Sequence, residues 1–164
     1  MNSFVKEEDI LVAIKKVLSS LNGIEKLHDS QMNVLKVLIN EDSSIYLTAP
    51  TNSGKTLPPM ILLSVMKELN QFGYGDFPVN GRVLFITAMN SIQHSLVTSM
   101  KKLGITCVAV KKDNVKHIFD QQIPVLFISP ETLKQSDVFK HLLQHREDFV
   151  LTTVDEAHLS KLHG

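Results

Sequence analysis

Ser44-Ile-Tyr-Leu-Thr-Ala-Pro-Thr-Asn-Ser-Gly-Lys-Thr56 runs from a short β-prone stretch straight into a glycine-lysine turn. From Leu57 to about Gln71 the pattern is helical, with Met60, Leu63 and Met66 as its inward face. Pro58 and Pro59 fall in the first turn of that helix, where a missing N–H is tolerated. Strand, turn and helix in this order are the context that gives Ala49-x-x-x-x-Gly54-Lys55-Thr56 its meaning. It is the phosphate-loop pattern with alanine in place of the first glycine. The backbone N–H groups of Asn52, Ser53, Gly54, Lys55 and Thr56, with Thr51 leading into them, would wrap phosphates where the helix dipole favours negative charge. Gly54 permits the close approach, Lys55 brings a mobile charge to the β/γ oxygens, and the Thr56 hydroxyl is the expected Mg²⁺ ligand. The bland alternative is a strand-to-helix turn that happens to contain Gly-Lys-Thr.

Outward from this loop, hydrophobic periodicity marks the other elements. Upstream, Ile10, Ile14, Val17, Leu18 and Leu21 predict an amphipathic helix closed near Gly23. Asp29 reads as the N-cap of a second helix bearing Met32, Leu35 and Leu38. Downstream, Gln71–Gly81 reads as a loop. Four further strands are predicted at Arg82–Thr87, Thr106–Val110, Pro124–Ser129 and Phe149–Val154. Helices fall between them: Ser91–Leu103, a short one around Asn114–Phe119, and one from Pro130 to about His145. Five apolar strands alternating with helices, each strand an unbroken hydrophobic run, predict one α/β domain built on a parallel sheet.

Composition bounds the function. A chain of 164 residues is one domain's worth, and 43% hydrophobic with 21% charged residues argues against disorder. Seventeen basic residues balance seventeen acidic ones, which excludes a strongly basic nucleic-acid-coating protein but leaves room for a local basic groove. One cysteine, Cys107, excludes an internal disulfide framework, and its apolar setting reads as a buried small hydrophobe. No stretch approaches the ~20 apolar residues of a membrane helix, and the acidic N-terminus is unlike a secretory signal. The expectation is a soluble protein of a reducing compartment, without a membrane partner.

The last predicted strand ends in Asp155-Glu156-Ala157-His158. Acids at the carboxyl end of a buried strand are where an α/β sheet presents residues to a ligand. Asp155 is suited to hold Mg²⁺, and Glu156 to polarise an attacking water. Two acids capping a helix N-terminus would look the same. Joined to the phosphate loop a hundred residues upstream, they point to ATP hydrolysis, with Lys55 and Glu156 as the catalytic candidates.

Together these residues resemble superfamily 2 helicases, and most of all the RecQ-like DNA helicases. Ala49–Thr56 resembles motif I, Asp155-Glu-Ala-His158 resembles motif II of DEAH type, and Ser129-Pro-Glu-Thr-Leu133 looks like the motif that touches the nucleic-acid backbone. Ser91 and Gly104 keep register with the segment after the family's second strand, and Leu18, Gly23 and Gln31 match its adenine-sensing motif. The resemblance spans about residues 18–164. It implies the first RecA-like lobe of a P-loop NTPase, a three-layer αβα sandwich, with Gln31 reading adenine and Ser91, Ser129, Pro130 and Glu131 near single-stranded or junction DNA. ATP and Mg²⁺ would be the cofactors, the enzyme a 3′→5′ helicase, and the setting intracellular, nuclear in a eukaryote. Asn22, Leu27, His28, Ala88, Val110-Lys-Lys112 and His163 depart from the pattern. Motif III, the second lobe and its arginine finger have no counterpart within residues 1–164, so the expectation is a domain truncated at its C-terminus, with a gap in its sheet and little turnover of its own.

Two alternatives stand beside the DNA-helicase reading. Motifs I and II do not separate DNA from RNA, so an RNA-directed superfamily 2 ATPase is the runner-up. A non-catalytic binding module or an inert remnant is the third class. His141 and His145 share a zinc-compatible spacing without a third ligand, and Lys101–Lys102 and Lys111–Lys112 read chiefly as solvated pairs.

Overall fold

The computed structural model describes residues 4–41, 56–75, 77–78, 80–87 and 90–154, with backbone alone at 90–92. The chain divides into two compact units, Met1–Val79 and Asn80–Gly164.

The first unit is helical among its described residues. Helix α1 (Glu7–Ser19) begins with Glu7, Glu8 and Asp9, which oppose the positive end of its dipole, so it starts three residues before the apolar periodicity does. It buries Ile10, Ala13, Ile14, Val17 and Leu18, and the chain then turns through Gly23 at a φ of 86°. Helix α2 (Asp29–Asn40) takes His28, not Asp29, as its N-cap; Asp29 is the first helical residue. Helix α3 (Leu57–Gln71) carries Pro58 and Pro59 in its first turn, as expected, and nine of its fifteen residues are buried. Both α1 and α2 pack against α3.

The second unit is the parallel sheet. Strands β1 (Arg82–Ile86), β2 (Cys107–Ala109), β3 (Val125–Ile128) and β4 (Phe149–Val154) lie in the order β2-β3-β1-β4, every described pair parallel. The order requires crossovers, and the helices supply them: α4 (Asn90–Leu103) between β1 and β2, short α5 (Val115–Ile118) between β2 and β3, then α6 (Pro130–Leu133) and α7 (Ser136–Gln144) before β4. The fold class is the expected α/β class with a parallel sheet. The predicted strand at Ser44–Leu47 lies outside the described residues.

Side-chain alternation sends the two faces of the sheet to different partners. Leu84, Leu126 and Ile128 meet Val115 and Ile118 of α5 and Val138 and Leu142 of α7 in one buried cluster. On the opposite face Phe85 and Phe127 pack edge to face at 5.5 Å, and Cys107 lies under α4 with its thiol 3.7 Å from the Val97 carbonyl. Burial holds this thiol above its ordinary pKa of 9.0, against the lowering influence of Lys101, and keeps it protonated near neutrality.

The predicted helix from Pro130 to His145 is two helices. Gln135 is extended, at φ −67° and ψ 125°, and α7 restarts at Ser136 with Asp137 in its first turn. The restart brings Val138 and Leu142 onto the core. In β4 the register against β1 shifts between Arg82 and Val83: Arg82 faces Phe149 and Val83 faces Leu151, leaving Val150 as an extra residue.

Candidate nucleotide and nucleic-acid site

Of the residues singled out in the sequence, Thr51, Asn52, Ser53, Gly54, Lys55, Asp155 and Glu156 lie outside the described residues. Gln31, Thr56, Ser129, Pro130 and Glu131 are described in full, and Ser91 by its place in the first turn of α4.

Thr56 is the N-cap of α3, half-buried, with αR backbone angles of −78° and −29°. Its hydroxyl makes no cap bond to its own helix, and the first turn of α3 carries no acid. Helix α1 differs, with three acids in its first turn, and so does α2, with Asp29. A fifteen-residue helix thus begins with its dipole uncompensated by its own side chains, the electrostatic condition that suits a bound anion.

Gln31, 6% exposed, sits at the third position of α2. Its side chain turns back so that Oε1 accepts the His28 N–H at 2.8 Å, the reach of a capping box. The residue expected to read adenine therefore also holds the start of its own helix.

Ser129 ends β3 and caps α6. Its Oγ accepts the Thr132 N–H at 3.1 Å and lies 2.9 Å from Thr132 Oγ1, and the residue is 1% exposed. The hydroxyl is committed to the turn, whereas Glu131 beside it is exposed. On the neighbouring strand, Thr87 follows β1 and donates its N–H to the Ile128 carbonyl at 2.9 Å. Among the described residues the buried Thr87 hydroxyl and the buried Gln93 amide nitrogen of α4 have no hydrogen-bond partner. Buried polar groups are rarely left so. The sequence reading passed over both, since a threonine after a strand and a glutamine in a helix carry no periodic signal.

Arg82 is buried, its guanidinium donating to the carbonyls of Ile118 (3.5 Å), Phe119 (3.4 Å) and Gln121 (3.2 Å) and lying 4.9 Å from the centre of the Phe119 ring. It closes the turn after α5. His145 falls past the end of α7, stacks on Phe119 at 4.0 Å, and places Nδ1 3.5 Å from Asp148 Oδ2. His141 and His145 are therefore not a pair on one helix. Among the described residues no group of three His, Cys, Asp or Glu side chains is placed to hold a metal, and no helix is long and apolar enough to cross a membrane.

Comparison with known proteins gives two findings. The sequence model of the family described as "Type III restriction enzyme, res subunit" matches residues 12–163. A protein of Dictyostelium discoideum named "Activating signal cointegrator 1 complex subunit 3" is 29% identical over 157 residues, covering 86% of this chain. The chain spans 7% of the length of that relative.

Proposed function

Since the chain belongs to the helicase-type family of the Type III restriction enzyme res subunit, we propose that it binds Mg·ATP through residues 49–56 and couples that site to a nucleic-acid strand. The observation that carries the nucleotide half is the start of α3, where the Thr56 hydroxyl is left without a cap bond and the helix end without an acid. In this reading Lys55 neutralises the β/γ oxygens, Thr56 and Asp155 hold the metal, and Glu156 orients water for hydrolysis. Bound Mg²⁺ would offset phosphate charge.

The polymer in this reading is DNA, single-stranded or at a junction, as in the RecQ-like helicases whose motifs Ser129–Leu133 and Gln31 resemble. It meets the carboxyl ends of β1 and β3, through Ser91, Pro130 and Glu131. RNA is the alternative polymer, and the chain acts as one lobe of a larger motor.

The test is a titration of the chain with a fluorescent ATP analogue, with and without Mg²⁺, repeated with single-stranded DNA and with RNA of the same sequence. Binding that needs Mg²⁺ and tightens with DNA more than with RNA is the expected result. No nucleotide binding at millimolar concentration ends the nucleotide reading, and equal response to both polymers ends the preference for DNA.

A further inference from the structure

Helix α3 is a poor candidate for holding its own axial position. Its charged residues, Lys67 and Glu68, come only after ten residues that are apolar, proline or serine. Leu57, Met60, Ile61, Leu62, Val65, Met66 and Leu69 are buried. Apolar burial is non-directional in itself, so the interlocking of side chains leaves part of the axial register to directional contacts.

They come from α1, and they meet the far end of α3. The Lys16 ammonium lies 2.8 Å from Glu68 Oε2 and 3.4 Å from Gln71 Oε1. Glu68 Oε2 is buried, with no hydrogen-bond partner among the described residues apart from this ion pair. Just past α3 the Tyr74 hydroxyl donates to the Asp9 carboxylate and accepts the Lys6 N–H at 3.2 Å. Asp9 and Lys16 are two turns apart, about 10.5 Å, so the two contacts fix position and not merely proximity. The bond to Asp9 raises the phenol pKa from its ordinary value, against the opposing effect of the Lys6 N–H. Helix α1 is itself fastened to α2: Lys36 meets Glu7 at 2.5 Å, and the Asn40 side chain bonds both the N–H and the carbonyl of Val5, at 2.8 and 3.2 Å.

We infer that Asp9 and Lys16 are positioning residues, which set the axial register of α3 and thereby the place of the Thr56 hydroxyl at its opposite end. Thr56 lies twelve residues from Glu68, about 18 Å along a rigid helix. A slide at one end is therefore delivered undiminished to the other. The nucleotide consequence rests on the reading of Thr56 given above; the register consequence does not.

Charge reversal tests it. Lys16→Glu, Glu68→Lys and the double swap are compared by amide hydrogen exchange of Met60, Ile61 and Leu62, the first amides past Pro58 and Pro59, and by the Kd of a Mg·ATP analogue. Each single reversal is expected to speed exchange in that turn and raise Kd about fivefold or more, and the double swap to bring both within about twofold of the parent. Because a pair that acts only through stability would also be rescued by the swap, Kd is read well below each variant's thermal midpoint, where every variant is folded and a loss of stability alone leaves affinity unchanged. Single reversals that leave exchange and Kd within about twofold of the parent overturn the inference, as does a swap that folds but restores neither. Should a single reversal unfold the chain, Tyr74→Phe, which adds no charge, is read the same way and decides. A parent chain that binds no nucleotide refutes the reading of Thr56 alone, and exchange then decides the register.

Discussion

Two helix starts carry a hydroxyl that the sequence marked for function, and they differ in what that hydroxyl does. Ser129 closes the turn into α6: its Oγ takes the Thr132 N–H, the residue is buried, and Glu131 faces the dipole from the first turn. Thr56 opens the longer α3 and does none of this; no cap bond and no first-turn acid are present. Among the described residues, the fold uses the Ser129 hydroxyl in its own turn and gives the Thr56 hydroxyl no cap bond. A motif residue is thus a candidate ligand only to the extent that its own backbone does not already consume it.

The comparison can be broken at four points. The largest effect falls on the charge beside Thr56. Lys55→Ala is expected to weaken binding of the ATP analogue by roughly 10–150-fold, since a hydrogen bond to a charged group is worth about 1.5–3 kcal/mol. An unchanged Kd in that variant would show that the start of α3 holds no phosphate. Next, Thr56→Val removes the open hydroxyl. The Mg²⁺ dependence of binding should fall by about tenfold while the thermal midpoint stays put, because no cap bond is lost. A marked drop in the midpoint would mean that Thr56 is structural after all.

Ser129→Ala should do the reverse. Loss of the cap is expected to cost about 0.5–2 kcal/mol, read as a midpoint lower by about 2–4 °C per kcal/mol, with nucleotide affinity unchanged. Stability equal to the parent's would contradict the committed hydroxyl. The smallest effect concerns Cys107, another group consumed by the fold. Its thiol is held above its usual pKa, so the thiolate grows only as pH rises past the ordinary range, and iodoacetamide should modify the folded chain far more slowly than the urea-unfolded one at pH 7.5. Equal rates in the two states would place Cys107 at the surface.

Much of the fold was legible in the residues. Val125–Ile128 reads as a strand because it is wholly apolar and short, and it is the strand whose four residues are all buried. The double proline of α3 and the glycine turns at Gly23 and Gly104, with φ of 86° and 97°, followed from local backbone chemistry. Local signals mislead where they compete. Asp29 looks like an N-cap, yet His28 takes that place because Gln31 reaches back to its N–H. Pro130 to His145 looks like one helix, yet Val138 and Leu142 gain more by restarting on the core at Ser136.

Local residue chemistry carries the phosphate-loop pattern, the helical or extended habit of most described segments and the parallel character of the sheet. All three depend on neighbours within a few residues: side-chain period, proline and glycine geometry, and the spacing of a glycine and a lysine. Tertiary contacts set the strand order β2-β3-β1-β4 and the commitment of Ser129 to its turn. The same holds for the long-range partners: Arg82 with carbonyls 36 to 39 residues away, Tyr74 with Asp9 across 65, Asn40 with Val5 across 35. Such pairs leave no periodic trace, because hydrogen-bonding groups find their partners only after apolar burial has brought distant segments together, and the energy that selects one partner over another is exerted only at contact.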